Sequence, residues 1–114
     1  MCQIFAGQAP ERYSCETRSV RLGGHVTSVR LENAYWDILE EVSTSQGMTL
    51  GKFLTTLHDE VLELQGEVNN FASLLRCACL TYMEEIKGNE AKKLALMEEA
   101  SKNLLPHDAP LALK

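Results

Sequence analysis

Apolar and polar positions change period along the chain, and the changes mark its elements. In VTSVRLE, residues 26–32, Val29 and Leu31 alternate with Ser28 and Arg30, the two-residue period of a strand with one buried face. Behind it, Asn33 is an N-cap candidate for a first helix in which Tyr35, Trp36, Ile38, Leu39 and Val42 fall at helical spacings. STSQG at 43–47 closes that helix, with Gly47 in the turn. Thr49 caps a second helix whose Leu50, Phe53, Leu54, Leu57, Val61 and Leu64 form the cleanest amphipathic stripe in the chain. Gly66 and the pair Asn69 and Asn70 break the pattern before a third helix carrying Phe71, Leu74, Leu75, Ala78, Tyr82 and Ile86, which Gly88 ends. Residues 89–105 predict a fourth helix, with Leu94, Met97 and Leu104 on one side and Glu90, Lys93, Glu98 and Lys102 in solvent. Pro106 and Pro110 leave the last residues as a tail.

A lone strand leaves N–H and C=O groups unpaired along its edges, so burying Val29 and Leu31 requires a partner strand. Two partners are open. SVRL occurs at residues 19–22 and again at 28–31, and Gly23 and Gly24 could close a two-residue hairpin between the copies. That register sets Ser19 opposite Ser28, Val20 opposite Thr27 and Arg21 opposite Val26, but seats Arg18 beside Val29 on the apolar side. The other partner is the same strand of a second molecule. Residues 1–24 then form an arm, with residues 18–22 as a candidate extra strand on the outer edge.

A length of 114 residues with 45% hydrophobic content fits one small domain with extensions and is too little for a large catalytic cleft. No apolar run approaches the roughly 20 residues of a membrane span, and MCQIFAGQAPE has no basic leader, so a cytoplasmic protein is expected. Cys77 and Cys79 lie two apart in a helical run and point to nearly opposite faces, while Cys2 and Cys15 are isolated; reduced thiols without a metal are expected. The net charge of −5 argues against nucleic acid until its distribution is considered. Residues 1–31 hold Arg12, Arg18, Arg21 and Arg30 against Glu11 and Glu16, a balance of +2, and the remainder carries −7.

The stretch HVTSVRLENAYWDILEEVSTSQGMTLGKFLTTLHDEVLEL, residues 25–64, joins a short strand directly to two helices, the second opening on a capped, mildly basic turn. In this the chain resembles the ribbon-helix-helix (Arc/MetJ-like) family of bacterial DNA-binding proteins. RSVRLGGHVTSVRLE, an aromatic helix and GMTLGKFL look like one bacterial subgroup of it. The resemblance implies a mainly α fold with one short β-strand. Two chains would pair in an intermolecular antiparallel two-stranded ribbon, with one or two extra C-terminal helices in each. Thr27, Val29 and Leu31 would face the helices, and Val26, Ser28 and Arg30 the bases of the major groove. Arg30 can donate two hydrogen bonds to guanine, Ser28 can donate or accept, and Val26 offers apolar contact to a thymine methyl. The amides of Leu50, Gly51 and Lys52 behind the Thr49 cap would hold a phosphate, with Arg18 and Arg21 of the arm on flanking phosphates. Val29, Leu31, Trp36, Leu39, Phe53, Leu54 and Leu57 are expected to form the dimer core.

The function implied is a sequence-specific, repressor-like regulator of transcription. It would act as a homodimer or higher oligomer on double-stranded DNA, without a cofactor or a membrane. The alternative is a protein-interaction or antitoxin-type module whose C-terminal helices take a protein partner. The expected division is an arm at 1–24, the ribbon-helix-helix domain with its third helix at 25–87, and a C-terminal helix and tail at 88–114. No enzyme is expected. MCQIFAG is similar to the amino end of glutamine amidotransferases that use an N-terminal cysteine, but the chain lacks the length and strands for their two-sheet domain. His58, Asp59 and Glu60 are successive helical residues that cannot converge on a metal, and no phosphate loop or Ser, His and Asp constellation is present.

Overall fold

Residues 15–32 fold on themselves as one antiparallel hairpin. The computed structural model describes residues 3–102; Cys2, Leu104, Pro106, Pro110 and the tail lie outside the described residues. Two short helical turns, α1 (Gln3–Ala6) and α2 (Pro10–Tyr13), lead into β1 (Cys15–Leu22) and β2 (His25–Glu32). Then come α3 (Asn33–Ser45), α4 (Leu50–Gln65), α5 (Phe71–Thr81), a π-helical turn (Tyr82–Ile86) and α6 (Glu90–Lys102).

The strand–helix–helix order β2, α3, α4 is as expected, but the strand is not alone and residues 15–22 are not an arm. β1 pairs with β2 in the register that the two glycines allow, from Leu22 opposite His25 to Cys15 opposite Glu32. Gly23 and Gly24 take φ of +57° and +84°. These left-handed conformations make the turn whose twist matches that of the flanking strands. Arg18, the objection to this register, is accommodated rather than buried. Its guanidinium lies 4.7 Å from the Trp36 ring centre, with Glu16 at 2.9 Å and Glu40 at 3.1 Å. The stem covers the ring and the charge is met at the rim. A Cβ at Gly24 would meet nothing within 4 Å, so Gly24→Val isolates the cost of left-handed backbone. We expect a loss of about 1–2 kcal/mol, read as a lower urea midpoint at unchanged slope.

Caps explain the helix ends, with two corrections. Because β2 runs directly into α3, Glu32 occupies the cap position without a side-chain cap bond. Asn33 lies inside the helix, and its side-chain amide donates to the Glu11 carbonyl at 2.9 Å, fastening the segment before β1. Asn70 is more than a breaker: at φ +47° its side chain accepts from the Ser73 amide at 3.2 Å and starts α5. Thr49 caps α4 as expected, accepting from the Lys52 amide at 3.1 Å, and Gly66 closes it at φ +81°. The third helix is not uniform to Ile86. It widens to a π turn at Tyr82, where the phenol donates to Glu41 at 2.8 Å and Lys87 meets the same carboxylate at 3.0 Å.

One cluster holds the layers together: Leu22, Val29, Leu31, Trp36, Leu39, Leu54, Leu75 and Cys79. Five residues expected in a dimer core, Val29, Leu31, Trp36, Leu39 and Leu54, are thus buried within one protomer, because β1 and α5 supply cover that a lone strand and two helices lack. Phe53 and Leu57 stay half-buried. Cys77 and Cys79 face opposite ways, the first exposed and the second buried; burial pushes the Cys79 thiol up to about 11, so it stays protonated. No helix among the described residues is long and apolar enough to cross a membrane.

Candidate nucleic-acid interface

The hairpin divides its side chains by alternation. Glu16, Arg18, Val20 and Leu22 of β1 turn toward the helices with Val29 and Leu31 of β2, and the last two are buried. On the opposite face Thr17 pairs with Arg30, Ser19 with Ser28 and Arg21 with Val26. All six are exposed, Val26 at 65%. The three residues expected at the bases, Val26, Ser28 and Arg30, are therefore together on the outward face, and Arg21 joins them from β1. Thr17 and Ser19 were not singled out as contacts, although the hairpin register weighed for Gly23 and Gly24 already set Ser19 beside Ser28.

Charge on this face is one-sided. Neither Arg21 nor Arg30 makes a side-chain hydrogen bond or ion pair among the described residues. Both carboxylates of the strands are met by other arginines: Glu16 by Arg18 at 2.9 Å, and Glu32 by Arg76 of α5 at 3.0 Å. A backbone amide and the Arg76 guanidinium hold the Glu32 carboxyl below its usual range. The outward face thus presents two guanidiniums and three hydroxyls, and the carboxylate beside Arg30 at the strand end, Glu32, is held by Arg76, on a protein whose net charge is −5.

One edge of the hairpin is open. In a two-residue hairpin the residues flanking the loop exchange both ladder bonds, so Leu22 and His25 are such a pair and alternation follows along the strands. Val26, Ser28 and Arg30 accordingly direct their N–H and C=O groups away from β1, and no other strand pairs with β2 among the described residues. The amino half of β2 is also uncovered beneath. His25 and Thr27 sit on the helix side by alternation yet are exposed, because α4 packs under β1, where Thr55 donates to the Arg21 carbonyl at 2.8 Å.

The remaining expected contacts separate. Thr49 and Gly51 are exposed at the start of α4, and open space surrounds a Cβ built on Gly51. The amides of Leu50 and Gly51 remain directed out of the helix, but that of Lys52 does not, since the Thr49 hydroxyl takes it. The Leu50 side chain packs on the core. Thr49 lies six residues before Thr55, about 9 Å along the helix from the bond to Arg21. Arg18, expected at a flanking phosphate, is not on the outward face with Arg21: it faces the helices and is held by Trp36, Glu16 and Glu40. Among the described residues no three His, Cys, Asp or Glu side chains converge as a metal site.

Comparison with known proteins agrees with this architecture. Residues 15–83 match the model of the ribbon-helix-helix domain, so the match begins at the first residue of β1. No curated protein matches the chain. Among solved structures, an uncharacterized protein from Bordetella pertussis Tohama I is similar at 32% identity and a TM-score of 0.76. The alignment covers 96% of this chain and 94% of that one. With a hairpin leading into two helices and a family match over more than half its length, the chain belongs to the ribbon-helix-helix family.

Proposed function

We propose that the protein is a sequence-specific DNA-binding regulator of transcription, repressor-like, acting as a homodimer without a cofactor or a catalytic role. The observation that carries this reading is the outward face of the hairpin, where Arg21, Arg30, Ser19 and Ser28 stand exposed and the nearby carboxylates are engaged elsewhere. Phosphate affinity needs such cations, and base readout needs donors on a thin ribbon that the major groove admits. The open edge of β2 and its uncovered amino half support pairing with a second copy. Leu50 and Gly51 amides behind the Thr49 cap, together with Lys52, would anchor a phosphate and set register. Ribbon-helix-helix proteins are generally DNA-binding regulators or antitoxins, and the DNA-binding role places this protein in the cytoplasm.

Random-site selection with the full chain tests this reading. A palindromic consensus should be enriched, and binding should weaken steeply with salt. Recovery of no enriched sequence at low salt would remove direct readout. A protein-interaction role has one observation in its favour, an open groove of about 260 Å³ bounded by Val42, Phe53, Leu57, Ala78, Ile86 and Leu96. It lies between α3 and α4 on one side and α5, the π turn and α6 on the other. Under that reading the hairpin variants below leave partner capture intact.

A further inference from the structure

We infer that β1 is part of the DNA interface, and that the functional face is a four-stranded sheet with a hydroxyl row at its centre and paired arginines on either side. The inference rests on the DNA-binding reading and adds the second strand, the partner's contribution and the kind of site expected. It starts from the open edge of β2. Glu32, the fourth residue directed at that edge, is held by Arg76 at the strand end and stays outside the pairing; a two-fold axis through Ser28 then pairs the other three of each chain with one another: Ser28 with the partner's Ser28, and Arg30 with the partner's Val26. Moving the axis to Arg30 would set two guanidiniums directly opposite, which is unfavourable. The central register also lays exposed Thr27 beside the partner's Val29, giving the uncovered half of β2 its missing cover.

The printed hairpin register then dictates the rows. Across the centre run Ser19, Ser28, the partner's Ser28 and the partner's Ser19. Across each flanking row run Thr17, Arg30, the partner's Val26 and the partner's Arg21. Neither chain alone makes such a row, since within one protomer Arg30 is beside Thr17 and Arg21 beside Val26. Outer strands three spacings apart stand about 14 Å from each other, wider than a major groove of about 12 Å. The β2 strands therefore enter the groove and the β1 strands ride on its walls, with Thr17, Ser19 and Arg21 at phosphates. Along the ribbon the two Arg30 side chains are about 14 Å apart, close to four base-pair steps of about 3.4 Å. The site is thus a palindrome with a guanine on each arm and a centre read weakly, because serine hydroxyls accept several bases.

Three variants of the full chain, each checked for helicity and dimerisation, test β1 separately from β2. Arg21→Ala should weaken selected and scrambled DNA by the same factor, lower the salt slope by about two per dimer and leave the selected consensus unchanged. Ser19→Glu, which sets a carboxylate against phosphate, should weaken both by roughly a hundredfold, while Ser19→Thr binds as wild type. If Arg21→Ala and Ser19→Glu keep wild-type affinity and slope while Arg30→Ala loses site preference, β1 lies off the DNA and the inference fails although the DNA reading stands. A wild type that binds no DNA overturns both.

Discussion

Trp36→Ala should destabilise the fold by about 3–5 kcal/mol, the largest loss expected of any single core substitution here. The indole is fully buried and touches each layer in a different way. Its ring packs in the central cluster, its N–H donates to the Glu16 carbonyl at 2.9 Å, and its face carries the Arg18 guanidinium at 4.7 Å. Removing it opens a cavity, frees a strand carbonyl and strips Arg18 of the surface that made its place beside Val29 tolerable. Against a total stability of about 5–15 kcal/mol, such a loss leaves a substantial unfolded population at growth temperature. Trp36→Phe keeps most of the packing and loses the hydrogen bond, so it should cost less, about 1–2 kcal/mol. Chemical denaturation of the two variants checks the order. Equal small losses would mean that β1 is not fastened through this residue.

Trp36 also shows where reading by period stops. Helical spacing from Tyr35 to Val42 identifies a helix and an apolar face, and the alternation of Val29 and Leu31 identifies a strand, because both are local patterns. Which strand covers that face is not local. Gly23 and Gly24 permitted a hairpin, and the objection was Arg18 on its apolar side. The contacts that answer the objection link Arg18 to Trp36 and Glu40, residues 18 and 22 positions away, and no periodicity reports them. The dimer-core expectation meets the same limit. Val29, Leu31 and Leu54 were correctly placed as buried, but their cover comes from Leu22 on β1 and Leu75 on α5, within the chain. The outward face was readable, since alternation alone puts Val26, Ser28 and Arg30 on one side. The Lys52 amide was not, because the Thr49 cap consumes one of the donors the helix end was expected to offer.

Arg30→Ala should abolish most of the preference for the selected site while leaving weak, sequence-independent binding. A bidentate arginine–guanine pair is worth about 1–3 kcal/mol of discrimination. A symmetric dimer loses two, so the ratio of specific to non-specific affinity should fall by about 2–6 kcal/mol, about thirtyfold to twenty-thousandfold. The fold should suffer little, because the side chain is exposed and the neighbouring Glu32 keeps its ion pair with Arg76. Arg30→Lys separates geometry from charge. Lysine keeps the cation, so the salt slope and binding to scrambled DNA should persist, but an ammonium cannot present the planar fork that meets O6 and N7 together. Discrimination should therefore drop nearly as far as in Arg30→Ala. If Arg30→Lys retains the wild-type preference, Arg30 acts as a phosphate charge and the guanine assignment is wrong. If a symmetric guanine-to-adenine change costs wild type and Arg30→Ala the same, some other residue reads that position.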